Sequence, residues 1–254
     1  MCIPLAVRLA LSSLFALALV LPAAADEPCN CPPPPEPAWK GGLGAGLWIS
    51  SGNTSAKSYN LSFAVSYDPK AHNVFKADGL YLKQQTDGLS TSDKTALGAR
   101  DEYGLGAHGF VFGELRYLRD PFRGVRYVLS PVAGLGYKLL ESPRATLSID
   151  GGVGGRFEGL EGLASTTSGA VQAGQALSVK LSPSASLSQR ATALWKANDF
   201  GDALYRLEGA LSISVSKRFE LKLADYFDYK TRPPSAGLKK HDNAVVAAIV
   251  YKIG

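Results

Sequence analysis

Residues 205–229 decide the fold of this chain, and their sequence is YRLEGALSISVSKRFELKLADYFDY. Apolar side chains occupy alternate positions before the turn at Lys217 and Arg218, and the same parity continues after it. The alternating series comprises Tyr205, Leu207, Leu211, Ile213 and Val215, then Phe219, Leu221, Leu223, Phe227 and Tyr229. Because successive side chains of a β-strand point to opposite faces, this period of two predicts a hairpin with one apolar face.

The opposite face of this hairpin combines charged residues with serine and alanine. Strands of about ten residues, aromatic residues near the strand ends and a polar second face are typical of transmembrane β-barrels. A soluble β-sandwich also alternates, but this combination favours the barrel, so we interpret the apolar face as facing lipid. Asp225 breaks the parity. We expect it near a membrane interface or beside a β-bulge, because a charge at the membrane midplane is costly.

Residues 1–25 have the pattern of a secretory signal peptide. Arg8 precedes an apolar run at 9–21, and Ala23, Ala24 and Ala25 form a small-residue cleavage site. The apolar run is shorter than the roughly 20 residues of a membrane-spanning helix. We therefore predict export, and a bacterial outer-membrane location for the mature chain.

Residues 26–38 are rich in proline and predict an extended periplasmic linker. Cys29 and Cys31 are the only cysteines left after removal of the signal peptide. A local disulfide, an intermolecular bridge and a metal site are all conceivable for two thiols in an oxidising compartment. We favour a non-catalytic cysteine pair.

The composition indicates one further domain, a barrel over residues 39–254. Of the 254 residues 46% are hydrophobic and 27 are glycine, and the mean hydropathy is zero. The formal charge of the precursor is +5, but 22 acidic residues are interleaved with 27 basic ones. Nucleic-acid binding would predict clustered basic residues with few acids, so we exclude it and expect a balanced polar lining.

The whole sequence predicts about twelve antiparallel strands, an even number as in single-chain bacterial up-and-down barrels. The clearest are 40–51, 57–67 and 244–253, besides the hairpin described above. Strands are also expected near 73–84, 95–105, 109–119, 127–139, 147–157, 167–181 and up to about 196. The faces of the third to fifth strands are less distinct, although Lys94, Arg100 and Glu102 fall on one polar side of the fourth. Pro131 removes a hydrogen-bond donor from the sixth strand, where we expect a β-bulge or irregularity.

The connections predict which end of the barrel faces outward. With the N-terminus in the periplasm, the connections from odd to even strands are extracellular. The segments 86–92, 159–165 and 231–240 are predicted to be longer loops on that side, as extracellular loops of such barrels are.

Three short motifs resemble those of a known family. They are Ser51-Gly52-Asn53-Thr54, the segment YLRDPFRG at 117–124, and Gly134-Leu135-Gly136-Tyr137. Together they are similar to the YdiY-like family of outer-membrane proteins described as salt-induced, a domain of unknown function numbered 481. The resemblance covers roughly residues 39–253. It implies an outer-membrane β-barrel and brings no activity or site residue with it.

The polar face of the strands predicts a charged lumen. The expected lumen-lining residues are Arg126, Lys138, Asp150, Arg156, Glu158, Lys180, Arg190, Arg206, Glu208, Glu220, Lys222 and Asp228. The acidic ones have neighbouring Arg or Lys, so we expect ion pairs rather than paired catalytic acids.

We find no motif for a catalytic site, a metal or a cofactor. His72, His108 and His241 fall in or beside predicted turns, and no serine spacing singles out a nucleophile. No metal-ligand or phosphate-binding motif is present. An enzyme is therefore not predicted, and an outer-membrane hydrolase is the least favoured of three hypotheses.

The favoured hypothesis is a narrow passive channel for small hydrophilic solutes with a slight anion preference. Barrels of eight strands are filled by side chains and those of sixteen hold a channel, so twelve strands are intermediate. The alternative is a closed, ion-paired barrel with a structural or stress-related role. Outer-membrane lipid and the barrel assembly machinery are the expected partners in either case.

Overall fold

The computed structural model describes residues 37–50, 56–233 and 239–253, with the side chains of 48–50 excluded. The predicted signal peptide, nearly all of the linker with Cys29 and Cys31, and the predicted turn at Gly52 and Asn53 lie outside this part. The described chain forms a closed antiparallel barrel of twelve strands, each paired with its neighbours in sequence, and β1 pairs with β12. The predicted all-β barrel class is confirmed.

The strands are β1 Trp39–Ser50, β2 Ala56–Tyr67, β3 Asn73–Thr86, β4 Leu89–Leu105, β5 Gly109–Asp120, β6 Val125–Glu141, β7 Ala145–Leu160, β8 Thr166–Lys180, β9 Ala185–Lys196, β10 Asp199–Ser214, β11 Phe219–Lys230 and β12 His241–Ile253. One turn of 3-10 helix, Pro121–Arg123, joins β5 to β6. Among the described residues, no helix is long and apolar enough to cross a membrane.

The hairpin of β10 and β11 has the predicted register and faces. Tyr205 pairs with Tyr229 and Leu211 with Leu223, without a shift along the hairpin. On the outer face Leu221 and Leu223 are about half exposed, whereas the inward Asp228 is 1% exposed. The apolar side chains thus cover the outside of the barrel and the charged ones fill the inside, as in a transmembrane barrel.

Aromatic rings gather at both ends of the outer surface. At the end where β1 begins and β12 ends, here called the terminal end, the ring pairs are Trp39–Tyr67, His72–Tyr103, His108–Tyr137 and Phe219–Tyr251. At the opposite end, called the loop end, Tyr205 contacts both Trp195 and Tyr229. Two such girdles at the two membrane interfaces are a property of outer-membrane barrels.

Most connections are short, and of the three predicted longer loops 231–240 is confirmed whereas 86–92 is wrong. The segment 86–92, predicted as a longer extracellular loop, belongs to β3 and β4 except for a two-residue turn at Asp87 and Gly88. Both turn residues have positive φ, of 51° and 80°, as a tight hairpin turn of the Asp-Gly type requires. Between β7 and β8 only 161–165 lie outside the strands, and between β11 and β12 the connection is 231–240.

Neither Pro131 nor Asp225 causes a β-bulge. At Pro131 the register between β6 and β7 is the same before and after the proline, but the pairing is interrupted at Ser130 and Pro131, which is the local irregularity expected there. Gly154 and Gly155 face Pro131 across the pair and leave space for it, so no extra residue is needed. Asp225 lies halfway along β11, is exposed, and has unshifted pairing on both sides. Both explanations offered for Asp225, a rim position and a bulge, are therefore wrong.

The seam that closes the barrel is short. β1 and β12 pair only over Gly41–Ala45 and Ile249–Ile253, although β11 pairs with β12 from His241 onward. Beyond Ala45 the side-chain amide of Asn60 donates to the carbonyl of Ala247 at 3.4 Å. The glycine at position 46 makes this contact possible, because a Cβ there would collide with both groups.

Candidate functional site: the charged lumen

The candidate site is the inside of the barrel, where inward side chains of nearly every strand meet. Three fully buried side chains, Arg156, Glu158 and Asp228, are large and charged. Such groups are stable inside a protein only when they are paired and hydrogen-bonded, and the ion pairs described below supply that pairing.

A central ion-pair network surrounds Glu114 on β5. Arg100 of β4 donates to it at 2.8 Å, Arg116 at 2.5 Å and Arg190 of β9 at 3.3 Å. Gln172 of β8 adds a hydrogen bond at 3.2 Å. Three strands separate β9 from β5 along the wall, so these contacts bridge the lumen.

Arg100 is the most highly connected cation of this network. It also pairs with Glu102 at 2.7 Å and with Asp150 of β7 at 3.1 Å. Its guanidinium lies 3.8 Å from the ring centroid of Phe112, which adds a cation–π contact. The side chain is fixed on all sides and is 4% exposed.

A loop-end network surrounds Glu158 on β7. Its carboxylate accepts from Arg156 at 2.9 Å and from Lys230 of β11, and Lys196 of β9 lies 3.3 Å away. Lys196 also pairs with Asp202 of β10 at 2.6 Å. Three cations and two acids from four strands thereby meet near one end of the lumen.

A third group spans nearly opposite walls. Lys94 of β4 donates to Asp228 of β11, and Arg206 of β10 donates to the other oxygen of Asp228 at 2.7 Å. Through β3, β2, β1 and β12, β4 is five positions from β11 around the ring. The lumen is therefore crossed by side chains at this level.

Open space inside the barrel is concentrated on the terminal side of these networks. Two cavities of about 410 and 480 Å3 share the lining residues Ala64, Arg190, Glu208, Lys222 and Tyr226. We call these two cavities the vestibule. Its wall includes Gly41, Glu220 and Lys252 at the terminal ends of β1, β11 and β12.

The spaces beyond the vestibule are much smaller. A cavity of about 60 Å3 lies beside Glu114, Gln172 and Arg190. Another of about 20 Å3 lies between Arg156 and Lys230 near the loop end. A cavity must have a volume of about 10–15 Å3 to hold one water. At its narrowest the lumen therefore has room only for single waters.

Nine of the residues predicted to line the lumen occupy these regions. Asp150, Arg156, Glu158, Arg190, Arg206 and Asp228 take part in the networks, and Glu208, Glu220 and Lys222 line the vestibule.

The other three predicted residues lie at the rims. Arg126 is exposed at the loop end and donates to the hydroxyl of Ser165, because a register shift between Val125 and Tyr127 removes it from the inward parity. Lys138 and Lys180 are close to the terminal ends of β6 and β8, and Lys138 pairs with Glu141 at 2.8 Å.

Several members of the networks lie outside the set of predicted lining residues. Glu114, Arg116, Asp78, Lys196, Asp202 and Lys230 were not among the predicted lining residues. In β5 the inward residues Phe110 and Phe112 are apolar, as are Val111 and Leu115 on the outside, so the alternation is weak there. The even-numbered parity of Glu114, Arg116 and Asp120 is the signal that could have identified this face.

The histidines lie away from the networks. His72 and His108 belong to the terminal-end girdle, and His241 begins β12. In the described part of the chain, no histidine side chain takes part in a recorded hydrogen bond. Nor do three His, Cys, Asp or Glu side chains come together there as metal ligands do.

The chain is similar in sequence to proteins of unknown function over most of its length. The profile of a family described as "Protein of unknown function, DUF481" matches residues 43–253. The uncharacterized protein YdiY of Escherichia coli strain K12 is 25% identical over 230 residues, which cover 90% of this chain and 87% of YdiY.

Solved structures are similar in fold alone. The COG4313 outer membrane channel from Pseudomonas putida F1 has a TM-score of 0.51 at 11% identity, and the match covers 90% of this chain and all of that one. The translocator domain of the autotransporter NalP from Neisseria meningitidis has a TM-score of 0.44 at 15% identity, covering 84% and 86%.

Proposed function

Since this chain belongs to the DUF481 family of proteins of unknown function, we propose a function from its own lumen, that of a narrow passive channel for small hydrophilic solutes. The proposal includes a bacterial outer-membrane location, reached by export and insertion through the barrel assembly machinery. The observation that carries it is the series of cavities beside the charged networks, from the vestibule of about 410 and 480 Å3 to spaces of about 60 and 20 Å3.

The narrow part sets the size limit of the proposed channel. Its walls are ion-paired side chains of β4, β5, β7, β9, β10 and β11, and each is held by at least one charged partner. Ordered side chains of this kind leave passages for water and small ions, whereas a sugar would have to displace several of them. We therefore expect low conductance and exclusion of larger solutes.

The vestibule favours anions. Six cationic residues line its cavity of about 410 Å3, Lys94, Arg116, Arg190, Arg206, Lys222 and Lys252, against three acidic ones, Asp78, Glu208 and Glu220. In the described part of the chain, Lys222 has no recorded ion pair. A ring of excess positive charge around a water-filled pore raises the local anion concentration.

A closed structural barrel is the second candidate, and one observation favours it. The ion pairs connect nearly opposite walls, as Lys94 and Asp228 do. Such a packed polar core could hold the barrel shut.

Conductance separates the two candidates. The mature protein would be refolded into detergent micelles, checked by heat-dependent mobility on a gel, and inserted into planar bilayers. The channel predicts discrete steps of low conductance with an anion-selective reversal potential. Folded protein that inserts and yields no steps would overturn it in favour of the closed barrel.

Arg190→Ala sharpens the test. Arg190 lines both vestibule cavities and the 60 Å3 space, and Glu114 keeps Arg100 and Arg116 when it is removed. We expect a larger single-channel conductance because the passage widens. Lys138→Ala, which removes a cation at the terminal rim, is the matched control and should leave the conductance unchanged.

A further inference from the structure

The outer surface of β8 to β11 carries a polar patch in the middle of the apolar band. We define this patch as Gln175 on β8, Gln189 on β9, Gly209 on β10 and Asp225 on β11. Gly209 pairs with Asp225 on one side and with Gln189 on the other. Gln175 is the diagonal neighbour of Gln189, because Gln189 pairs with Leu177.

The position of the patch is what makes it unusual. On β11, Phe227 separates Asp225 from the girdle residue Tyr229, and Leu223 and Leu221 separate it from Phe219 at the other end. A charge on the lipid face near the midplane destabilises a barrel, more so than one near the interfaces. Lipid tails offer these groups no hydrogen-bond partner.

The polar groups of the patch have no recorded partner within the barrel. In the described part of the chain, no hydrogen bond or ion pair involves the side chain of Gln175, Gln189 or Asp225. The surface beside them is low, since a Cβ added at Gly209 would meet no other atom within 4 Å. Alanines at 173, 191 and 193 continue this low surface.

We propose that a second copy of this chain packs on the patch. The patch contains both an acceptor, the carboxylate of Asp225, and donors, the amides of Gln189 and Gln175, on opposite sides of β10. A twofold axis along the membrane normal near Gly209 exchanges these two sides. It carries the carboxylate of each copy toward the amides of the other, as an isologous interface requires.

A second outward Asp–Gly pair lies elsewhere on the barrel and supplies the control positions for the experiments. Asp101 on β4 pairs with Gly113 on β5, and open space also surrounds the Cα of Gly113. Asp101, however, is next to the girdle residue Tyr103 on the same face, where a charge reaches the interface. Its direct partner on β3 is Phe75, so no glutamine is paired with it or with Gly113.

The first experiment is cross-linking in the membrane. Gly209→Cys and Gly113→Cys would be placed in a background with Cys29→Ser and Cys31→Ser, so that the native thiols cannot form the bridge. On mild oxidation we expect a disulfide-linked species of twice the mass with Gly209→Cys and at least tenfold less with Gly113→Cys. Equal cross-linking at the two positions would overturn the proposal.

The second experiment measures mass in mild detergent by light scattering, with reductant present. We expect the unsubstituted protein to have the mass of two copies. Asp225→Leu should weaken association about tenfold or more, because two carboxylate–amide contacts are lost per pair, while Asp101→Leu should leave it intact. A single-copy mass for the unsubstituted protein, or a two-copy mass that survives Asp225→Leu, contradicts the proposed interface. Neither result depends on whether the lumen conducts.

Discussion

At the residue scale, Glu158 is the counter-ion on which the loop-end network depends. Its carboxylate is 1% exposed and has Arg156, Lys196 and Lys230 around it. Glu158→Leu leaves these buried cations with Asp202 as the only acid of the network. Because removal of one partner of a buried pair is strongly destabilising, we expect a loss of about 3–5 kcal/mol in the free energy of unfolding, measured by urea titration in micelles.

The matched control for that prediction is Glu220→Gln. Glu220 also points inward, but it lines the vestibule and has no recorded ion pair in the described part of the chain. Its replacement should change the unfolding free energy by less than about 1 kcal/mol. Equal losses for both variants would mean that the network does not hold the barrel together.

Lys222 provides a prediction about selectivity at the same scale. It lines both cavities of the vestibule. Lys222→Glu leaves five cationic and four acidic residues around the cavity of about 410 Å3, so the reversal potential in a salt gradient should move toward cation selectivity. Lys180→Glu makes the same charge change at an exposed rim position and should move it little. If both variants shift the potential equally, the vestibule does not set selectivity.

At the element scale, the seam between β1 and β12 is the weakest pairing of the barrel. Only residues 249–253 of β12 pair with β1, whereas 241–251 pair with β11. Amides that lack a partner in the ladder exchange with solvent deuterium at lower local stability. We expect peptides within 241–248 to exchange faster than those within 249–253. Uniform protection along β12 would show that the seam is paired over its full length.

The elements also differ in how far sequence predicts them. In β2, β10 and β11 most alternate residues are apolar, with Asp225 as an exception on β11, so strand and face follow from the period alone. In β5 both faces carry apolar residues, since Phe110 and Phe112 pack inside the lumen, and the period is lost. The turn at Asp87 and Gly88 was mistaken for a loop because the polar residues after it belong to a strand.

The ion-pair partners were beyond prediction for a different reason. A carboxylate such as Glu114 finds its cations on β4 and β9, at positions that depend on the stagger of all twelve strands. No local pattern contains that information. The sequence therefore predicts which residues face inward better than it predicts which of them meet.

At the scale of the whole molecule, the lipid-facing surface predicts a dependence on depth. Val153 and Leu105 are both well exposed on the outer face, at 67% and 53%, but Val153 lies in the middle of β7 and Leu105 at the end of β4. We expect Val153→Arg to destabilise the barrel by about 2–4 kcal/mol and Leu105→Arg by about 0–1 kcal/mol. Urea unfolding in lipid vesicles measures both. Equal effects would contradict burial of this band in a bilayer.

The shortness of the connections has a consequence for the bacterial cell surface. Turns such as Asp87–Gly88 end almost at the barrel rim. They would therefore lie below the sugar layer that coats the cell and offer antibodies or phages little surface to bind. The ten residues between Lys230 and His241 are the longest of these connections. On intact cells, an antibody should therefore reach a peptide epitope inserted after Arg232.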